Sequence, residues 1–438
     1  SLMLIRNGYA LLDASFYPYD GKAVHDVASV SKSVMTTLIG IAADQGRFRL
    51  DDPALSFFPE RKIANRDAAK ERITVRHLAG MASGLDCTAA NDEQTLHEME
   101  RTEDFVRFIL DRRMIFEPGA RFVYCSPGMH LLSAILQRAT GMTSLEFARR
   151  HLFEPLGIRD VIWPADPQGV NHGWGDIKLH PRDMARIGLL WLNKGRWEDK
   201  QVVSAEWVEA SVKRQVKTGR NDDYGYGWWI TDPDGAYAAI GRGGQRIQVW
   251  PSINAMLVMT GGGVDIDDIE PFFEQAFTGL TAPLPANPAG VARLNAALAA
   301  VRHPPAAKPV ASLPAIAAKI SGRTYVFEAN PLNIEEMGLV FSGPSEAAMT
   351  ITHDGGRKES WPVGLDGVYR FSKGPYDLPQ GLRGGWADER TFAAEYDNIA
   401  NNDHIMLRLT FAGDRLTVES RETAHELSFR FEGRVVRR

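Results

Sequence analysis

The period at which apolar and polar residues recur changes several times along the chain, and those changes divide it. Residues 4–6 and 9–16 flank Asn7-Gly8, a dipeptide suited to a tight two-residue turn, so the chain is predicted to open with an antiparallel hairpin. Residues 32–46 read as a helix that is apolar on most faces through Val34, Met35, Leu38, Ile39 and Ile41, with Gly46 as its stop. A helix apolar nearly all round belongs inside a domain. From Ile73 to about Arg214 the period is helical, with segments at 95–112, 127–140, 181–193 and 205–213. Aromatic and β-branched runs then follow at 224–231, 236–240, 246–250 and 255–260, and a helical stretch at 267–277. The expected fold class is therefore α+β, an antiparallel sheet begun at the N-terminus, completed after the helical insertion, and flanked by helices. Residues 281–316 are rich in Ala and Pro, with prolines at 283, 285, 288, 304, 305, 309 and 314, and read as a linker that holds one short helix at 291–301. Beyond it Leu407, Leu409 and Phe411, a turn at Gly413-Asp414, then Leu416 and Val418, alternate with polar neighbours, which predicts an all-β C-terminal barrel or sandwich.

Bulk properties narrow the possibilities. A chain of 438 residues, 44% hydrophobic and 24% charged, exceeds one ordinary domain, and domains are expected at 1–280 and 317–438 around the linker at 281–316. Fifty Lys and Arg against 55 Asp and Glu give no single-sign field of the kind nucleic-acid binding uses, so no nucleic-acid partner is expected. Apolar stretches such as 34–43 and 189–192 are too short to span a bilayer. The opening Ser-Leu-Met shows no basic stretch ahead of an apolar one, which leaves the compartment open between cytoplasm and periplasm. Cys87 and Cys125 lie far apart without a His or Cys at metal-ligand spacing, and both are expected as free thiols; no metal or cofactor is expected. Oligomeric state stays open.

Ser29-Val30-Ser31-Lys32 carries the chemistry. Residues three apart share a helix face, so the Lys32 amine can reach the Ser29 hydroxyl, and a helix N-terminus offers N–H groups where an oxyanion would form. Apolar neighbours Val30, Val34 and Met35 supply the desolvation that lowers a lysine pKa. The competing reading is a serine that caps a helix which happens to start with a lysine.

The sequence resembles the penicillin-recognising serine hydrolases, the β-lactamases and DD-peptidases, and in particular the class C-like branch with its esterases and 6-aminohexanoate-dimer hydrolases. The resemblance spans residues 4 to about 280. It rests on Ser29-Val30-Ser31-Lys32, Ile73-Thr74-Val75-Arg76-His77-Leu78 leading to Ser83-Gly84-Leu85, Tyr124-Cys125-Ser126, Pro181-Arg182-Asp183-Met184-Ala185-Arg186, Tyr224-Gly225-Tyr226-Gly227-Trp228-Trp229 and Gly241-Arg242-Gly243-Gly244-Gln245, in that order. It implies a β-lactamase/transpeptidase-like domain with Ser29 as nucleophile and Lys32 as base. Tyr124 stands for the tyrosine of the Tyr-x-Asn motif and is expected to relay protons, while Ser126 departs from the usual Asn and also reads as an N-cap before Pro127. Tyr396-Asp397-Asn398 matches that motif literally but lies in the β module and is read as a strand end.

The third motif, Lys-Thr-Gly or His-x-Gly on a strand that docks substrate, is assigned to Arg242-Gly243-Gly244-Gln245, because Lys217-Thr218-Gly219 sits in a polar, breaker-rich run read as a loop. Glycines there let a substrate approach the backbone. Arg242 stays charged, so it is expected to bind a carboxylate or else to be a solvated surface residue, and the N–H groups of Ser29 and Gln245 are the expected oxyanion donors. Aromatic and imidazole groups at His172, Trp174, Tyr226 and Trp228 are candidates for lining the pocket. The expected activity is hydrolysis of an amide or ester of a small molecule or short peptide through an acyl-enzyme. The alternatives are a true β-lactamase or DD-peptidase, and a catalytically silent binding protein that works through its β module. A Ser-His-Asp esterase is disfavoured because no Gly-x-Ser-x-Gly elbow occurs.

Overall fold

A computed structural model describes residues 1–87, 93–231, 235–277, 284–424 and 427–435. By internal contacts the chain forms two compact units, Ser1–Asp13 with Val24–Thr260, and Ala14–Ala23 with Gly261–Arg438. The division thus falls after Thr260, and the segment Ala14–Ala23 counts with the second unit. No helix among the described residues is long and apolar enough to cross a membrane.

The first unit is built on seven antiparallel strands: β1 (Leu2–Arg6), β2 (Tyr9–Ala14), β3 (Asp223–Tyr224), β4 (Trp229–Ile230), β5 (Tyr237–Gly241), β6 (Gln245–Trp250) and β7 (Ala255–Met259), in the order β2-β1-β7-β6-β5-β4-β3. The N-terminal hairpin turns at Asn7 and Gly8 with φ of 51° and 80°, the left-handed pair that the dipeptide suits. Its first strand then pairs with the last, Leu2 opposite Met259 and Arg6 opposite Ala255, so the two ends of the unit close one sheet. Every residue of β7 is buried, as expected of a strand covered on both faces. The run expected as one strand at 224–231 is two, broken at Gly227 (φ 76°), where a Cβ would lie 2.3 Å from Thr36 Oγ1. The segment expected as one helix at 95–112 is also two, Gln94–Glu100 and Phe105–Asp111, because Asp104 opens the second by accepting the Arg107 N–H at 2.9 Å.

Helices α1 (Val30–Asp44), α2 (Ser126–Thr140) and α3 (Pro181–Leu192) carry the core. All of Val30 to Ala42 is buried, since α1 packs against α2 and against β5, which explains its apolar circumference. Burying its Leu38, Ile39 and Ile41 is worth roughly 1.5–3 kcal/mol each. Gly40 is required on this helix, because a Cβ would lie 2.4 Å from the Trp207 ring. One expectation is overturned: Cys87 and Cys125 are not free thiols but a disulfide, with Cα atoms 5.3 Å apart. Their 38-residue separation hides that the fold brings Cys87 beside Cys125 at the entry to α2.

Among the described residues the second unit contains the helix Pro288–Arg302, opened by Asn287 accepting the Gly290 N–H, and ten strands from Thr324–Phe327 to Ser428–Val435. Two meanders, one of four strands and one of six, join because the first strand pairs with the last, Tyr325 opposite Val435, and Gly364 bridges to Arg383. The result is a β-barrel, whose core includes Tyr325, Met337, Met349, Phe392, Leu409 and Val418. Tyr396 and Asp397 are the last two residues of the strand Thr391–Asp397, and the Tyr396 hydroxyl donates to Gln380 Oε1 at 3.0 Å, in keeping with the reading of this stretch as a strand end.

Candidate active site

Ser29 is presented by a strained turn. His25–Asp26 forms a two-residue ladder with Lys178–Leu179, after which Ala28 adopts φ 46°, unusual for a residue with a side chain. Asp26 holds that turn: one carboxylate oxygen accepts the Ala28 N–H at 2.7 Å and the other meets Lys178 Nζ at 2.6 Å, with both side chains buried. Burial raises the Asp26 pKa, against the pull of Lys178. Ser29 stands at the N-cap of α1, yet its hydroxyl makes no capping bond. The capping alternative therefore does not describe it, and its Oγ is instead 2.7 Å from Lys32 Nζ.

Lys32 is 2% exposed and sits among apolar side chains. Besides Ser29, its amine donates to the carbonyl of Trp174 at 2.8 Å and lies 4.8 Å from the centre of the Tyr124 ring. Desolvation brings its pKa down to about 8, partly opposed by the negative charges of Glu93 and Asp176. At pH 7 about a tenth of such amines are unprotonated, enough to act as a base. The Tyr124 hydroxyl hydrogen-bonds Ser29, but burial pushes its pKa far up, with Glu93 adding to the rise and Ser29 and Arg220 opposing it. Tyr124 is therefore a neutral hydroxyl near pH 7, suited to passing a proton rather than to initial deprotonation. Ser29 and Lys32, read from one motif, and Tyr124, read from another, thus converge on one point.

The third motif also reaches this point. Gly241, at the end of β5, lies so close to Ser29 that a Cβ on it would stand 3.0 Å from Ser29 N and 2.6 Å from Val27 O. Arg242–Gly244 form the turn between β5 and β6, and Gln245, fully buried, opens β6 with its Nε2 donating to Arg242 O at 3.0 Å. Gly243 and Gly244 have φ of 76° and 94°, so their glycines serve the turn itself. Lys217-Thr218-Gly219 is a loop as expected, its Thr218 hydroxyl bonded to Asp222 O.

Ser126 is the first residue of α2 rather than its cap; Cys125 caps, its sulfur accepting the Gly128 N–H. The Ser126 hydroxyl is buried and meets no hydrogen-bond partner among the described residues. Of the pocket candidates, Tyr226 and Trp228 are core residues: Tyr226 stacks on Trp207 and bonds Arg76, and Trp228 packs on Trp191. His172 and Trp174 stack on each other, ring centres 4.2 Å apart, directly behind Lys32.

Residues 1–261 match the protein family described as Beta-lactamase, well over half of the chain. The chain belongs to the β-lactamase family. The protein is a serine hydrolase of this family, whose relatives include proteins named 6-aminohexanoate-dimer hydrolase, esterase and β-lactamase. It is 27% identical over 280 residues to 6-aminohexanoate-dimer hydrolase of Paenarthrobacter ureafaciens, covering 58% of this chain and 69% of that one. It is 25% identical over 213 residues to a β-lactamase of Escherichia coli K12, covering 47% of this chain and about half, 52%, of that one. Among solved structures, one described as a 6-aminohexanoate-dimer hydrolase from Bacillus anthracis superposes with a TM-score of 0.55 at 18% identity, over 63% of this chain and 77% of that chain, which shows the fold.

Within this β-lactamase fold, sequence reasoning missed the groups that hold the motif residues, Asp26 with Lys178 and the Trp174 carbonyl, and the charges of Asp176 and Glu93 that act on Lys32. The only signal for any of them is Gly173-Trp174-Gly175, where a large residue between two glycines marks a tight passage; a Cβ on Gly173 would stand 2.0 Å from Met129 O.

Proposed function

We propose that the protein hydrolyses an amide or ester bond of a small molecule or short peptide through an acyl-enzyme on Ser29. The 2.7 Å contact between Lys32 Nζ and Ser29 Oγ, made by an amine with a depressed pKa, carries this reading. The unprotonated Lys32 amine takes the Ser29 proton as Oγ attacks the carbonyl carbon. Negative charge on the carbonyl oxygen is met by the N–H groups of Ser29 and Gln245. Collapse of the tetrahedral adduct breaks the bond to the amine or alcohol, which leaves with the Tyr124 proton, and Lys32 returns its proton to Tyr124. Water then attacks the acyl carbon as Lys32 takes its proton, and collapse of this second adduct breaks the bond to Ser29, whose Oγ leaves with that proton returned from Lys32.

Ser126 and Arg242 depart from the residues typical of penicillin-recognising enzymes and favour a linear amide, a short-chain ester or a peptide with a free carboxylate over a lactam. Arg242, the first residue of the β5–β6 turn, is the group for that carboxylate. The relatedness to an enzyme named for a 6-aminohexanoate dimer supports a linear amide. The test is intact mass after incubation with a fluorophosphonate and, separately, with β-lactams and p-nitrophenyl esters, for wild type and Ser29→Ala. One adduct, absent from the variant, is expected. A folded wild type that takes no adduct would instead make this a silent binding protein.

A further inference from the structure

The loop behind Lys32 has its own construction. His172 Nδ1 donates to Asp176 Oδ2 at 2.7 Å and so closes a five-residue loop upon itself. Inside it Trp174 lies between two glycines, its ring stacked on His172 and packed against His130, and its carbonyl aimed at Lys32 Nζ. His172 is fixed from the other side, its carbonyl accepting the Trp163 indole N–H at 2.7 Å. Asp176 adopts φ 67°, a conformation that non-glycine residues hold only when surroundings impose it.

A neutral lysine amine has two N–H donors and one lone pair. To serve as base it must turn the lone pair to the Ser29 proton, which requires an acceptor for an N–H on another side. The Trp174 carbonyl is that acceptor. The charged and titratable groups acting on Lys32 are Glu93 and Asp176, both of which strengthen its hold on a proton, with the Tyr124 ring alongside. Those acting on Asp176 are His172, Lys178 and Lys32, which together outweigh its burial and keep it ionised, and the nearby carboxyl of Asp26, whose pKa the Asp176 charge raises.

We propose that His172 and Asp176 are positioning residues: their bond fixes the loop that orients the Lys32 amine, and the Asp176 carboxylate sets how readily that amine gives up its proton. The inference rests on Ser29 being the nucleophile and Lys32 its base. Two functions are thereby separated on two residues, geometry on His172 and electrostatics on Asp176.

The experiment is the pH dependence of the p-nitrophenolate burst, which reads acylation, for wild type, Ser29→Ala, Asp176→Asn, His172→Ala and His172→Gln. Asp176→Asn keeps the shape and removes the charge, so the acid limb of the profile is expected to move to lower pH by about half a unit to one unit. His172→Ala is expected to lower the plateau by about tenfold to a hundredfold and to move the limb less than Asp176→Asn does, because Lys178 and Lys32 still favour the Asp176 carboxylate, and His172→Gln, which can still donate to Asp176, to recover most of the plateau. Changes confined to thermal stability move neither limb nor plateau. An Asp176→Asn limb that superposes on wild type, or a full plateau in His172→Ala, overturns the proposal while leaving Ser29 and Lys32 in place. A burst that survives in Ser29→Ala overturns the underlying reading as well.

Discussion

Replacing Lys32 with Met should make the protein more stable as it makes it inactive. Met has similar length, fills the same apolar space and carries no charge. In the folded protein the Lys32 pKa is about 8, against an ordinary 10.5. Below pH 8 the amine is protonated in both the folded and unfolded chain, so the whole difference, about 2.5 units or roughly 3 kcal/mol, weighs against folding. As pH rises from 8 to 10.5 the folded protein has already released this proton while the unfolded chain still binds it. Stability therefore increases through that window, and the penalty fades. Met also leaves the Trp174 carbonyl without its donor, which costs about 1 kcal/mol. The net expectation is a gain of about 2 kcal/mol at pH 7 that turns into a small loss by pH 10.5. Urea denaturation of both proteins at pH 7 and pH 10 measures it, because groups common to the two cancel in the difference. A Lys32→Met protein less stable than wild type at pH 7, by an amount independent of pH, would refute the claim that this amine is held against its own desolvation. The same pKa predicts that acylation rises with pH and levels off above about 8.

Two further perturbations test the scaffold. Asp26→Ala removes the carboxylate that the buried Lys178 ammonium meets at 2.6 Å and should cost about 3–5 kcal/mol, most of it recovered in the Asp26→Ala/Lys178→Met double variant; equal melting of single and double variants would contradict the pairing. The Cys87–Cys125 bond should appear in peptide maps made without reductant, and Cys87→Ser should lose about 3–4 kcal/mol of stability, so alkylation of both thiols in the native, unreduced protein would count against it.

The sequence by itself determined the kinds of element and the identity of the reacting groups. The Asn7-Gly8 hairpin, the apolar α1 and the alternating C-terminal strands follow from local periodicity, and Ser29 and Lys32 fall on one helix face because three residues make most of a turn. Breaks inside elements were harder to read: Asp104 and Gly227 interrupt segments whose apolar pattern continues through them, since the break serves a cap or a turn against α1. Only the tertiary structure decided what surrounds the lysine and the serine. The Trp174 carbonyl is 142 residues from Lys32, Lys178 is 152 from Asp26, and Cys125 is 38 from Cys87. Such pairs leave no periodic trace, because what brings them together is the closing of the sheet by its first and last strands and the packing of α1 and α2. The pKa of Lys32 belongs to the same class: it depends on how completely water is excluded, which is a property of the folded surroundings rather than of Val30, Val34 and Met35 alone.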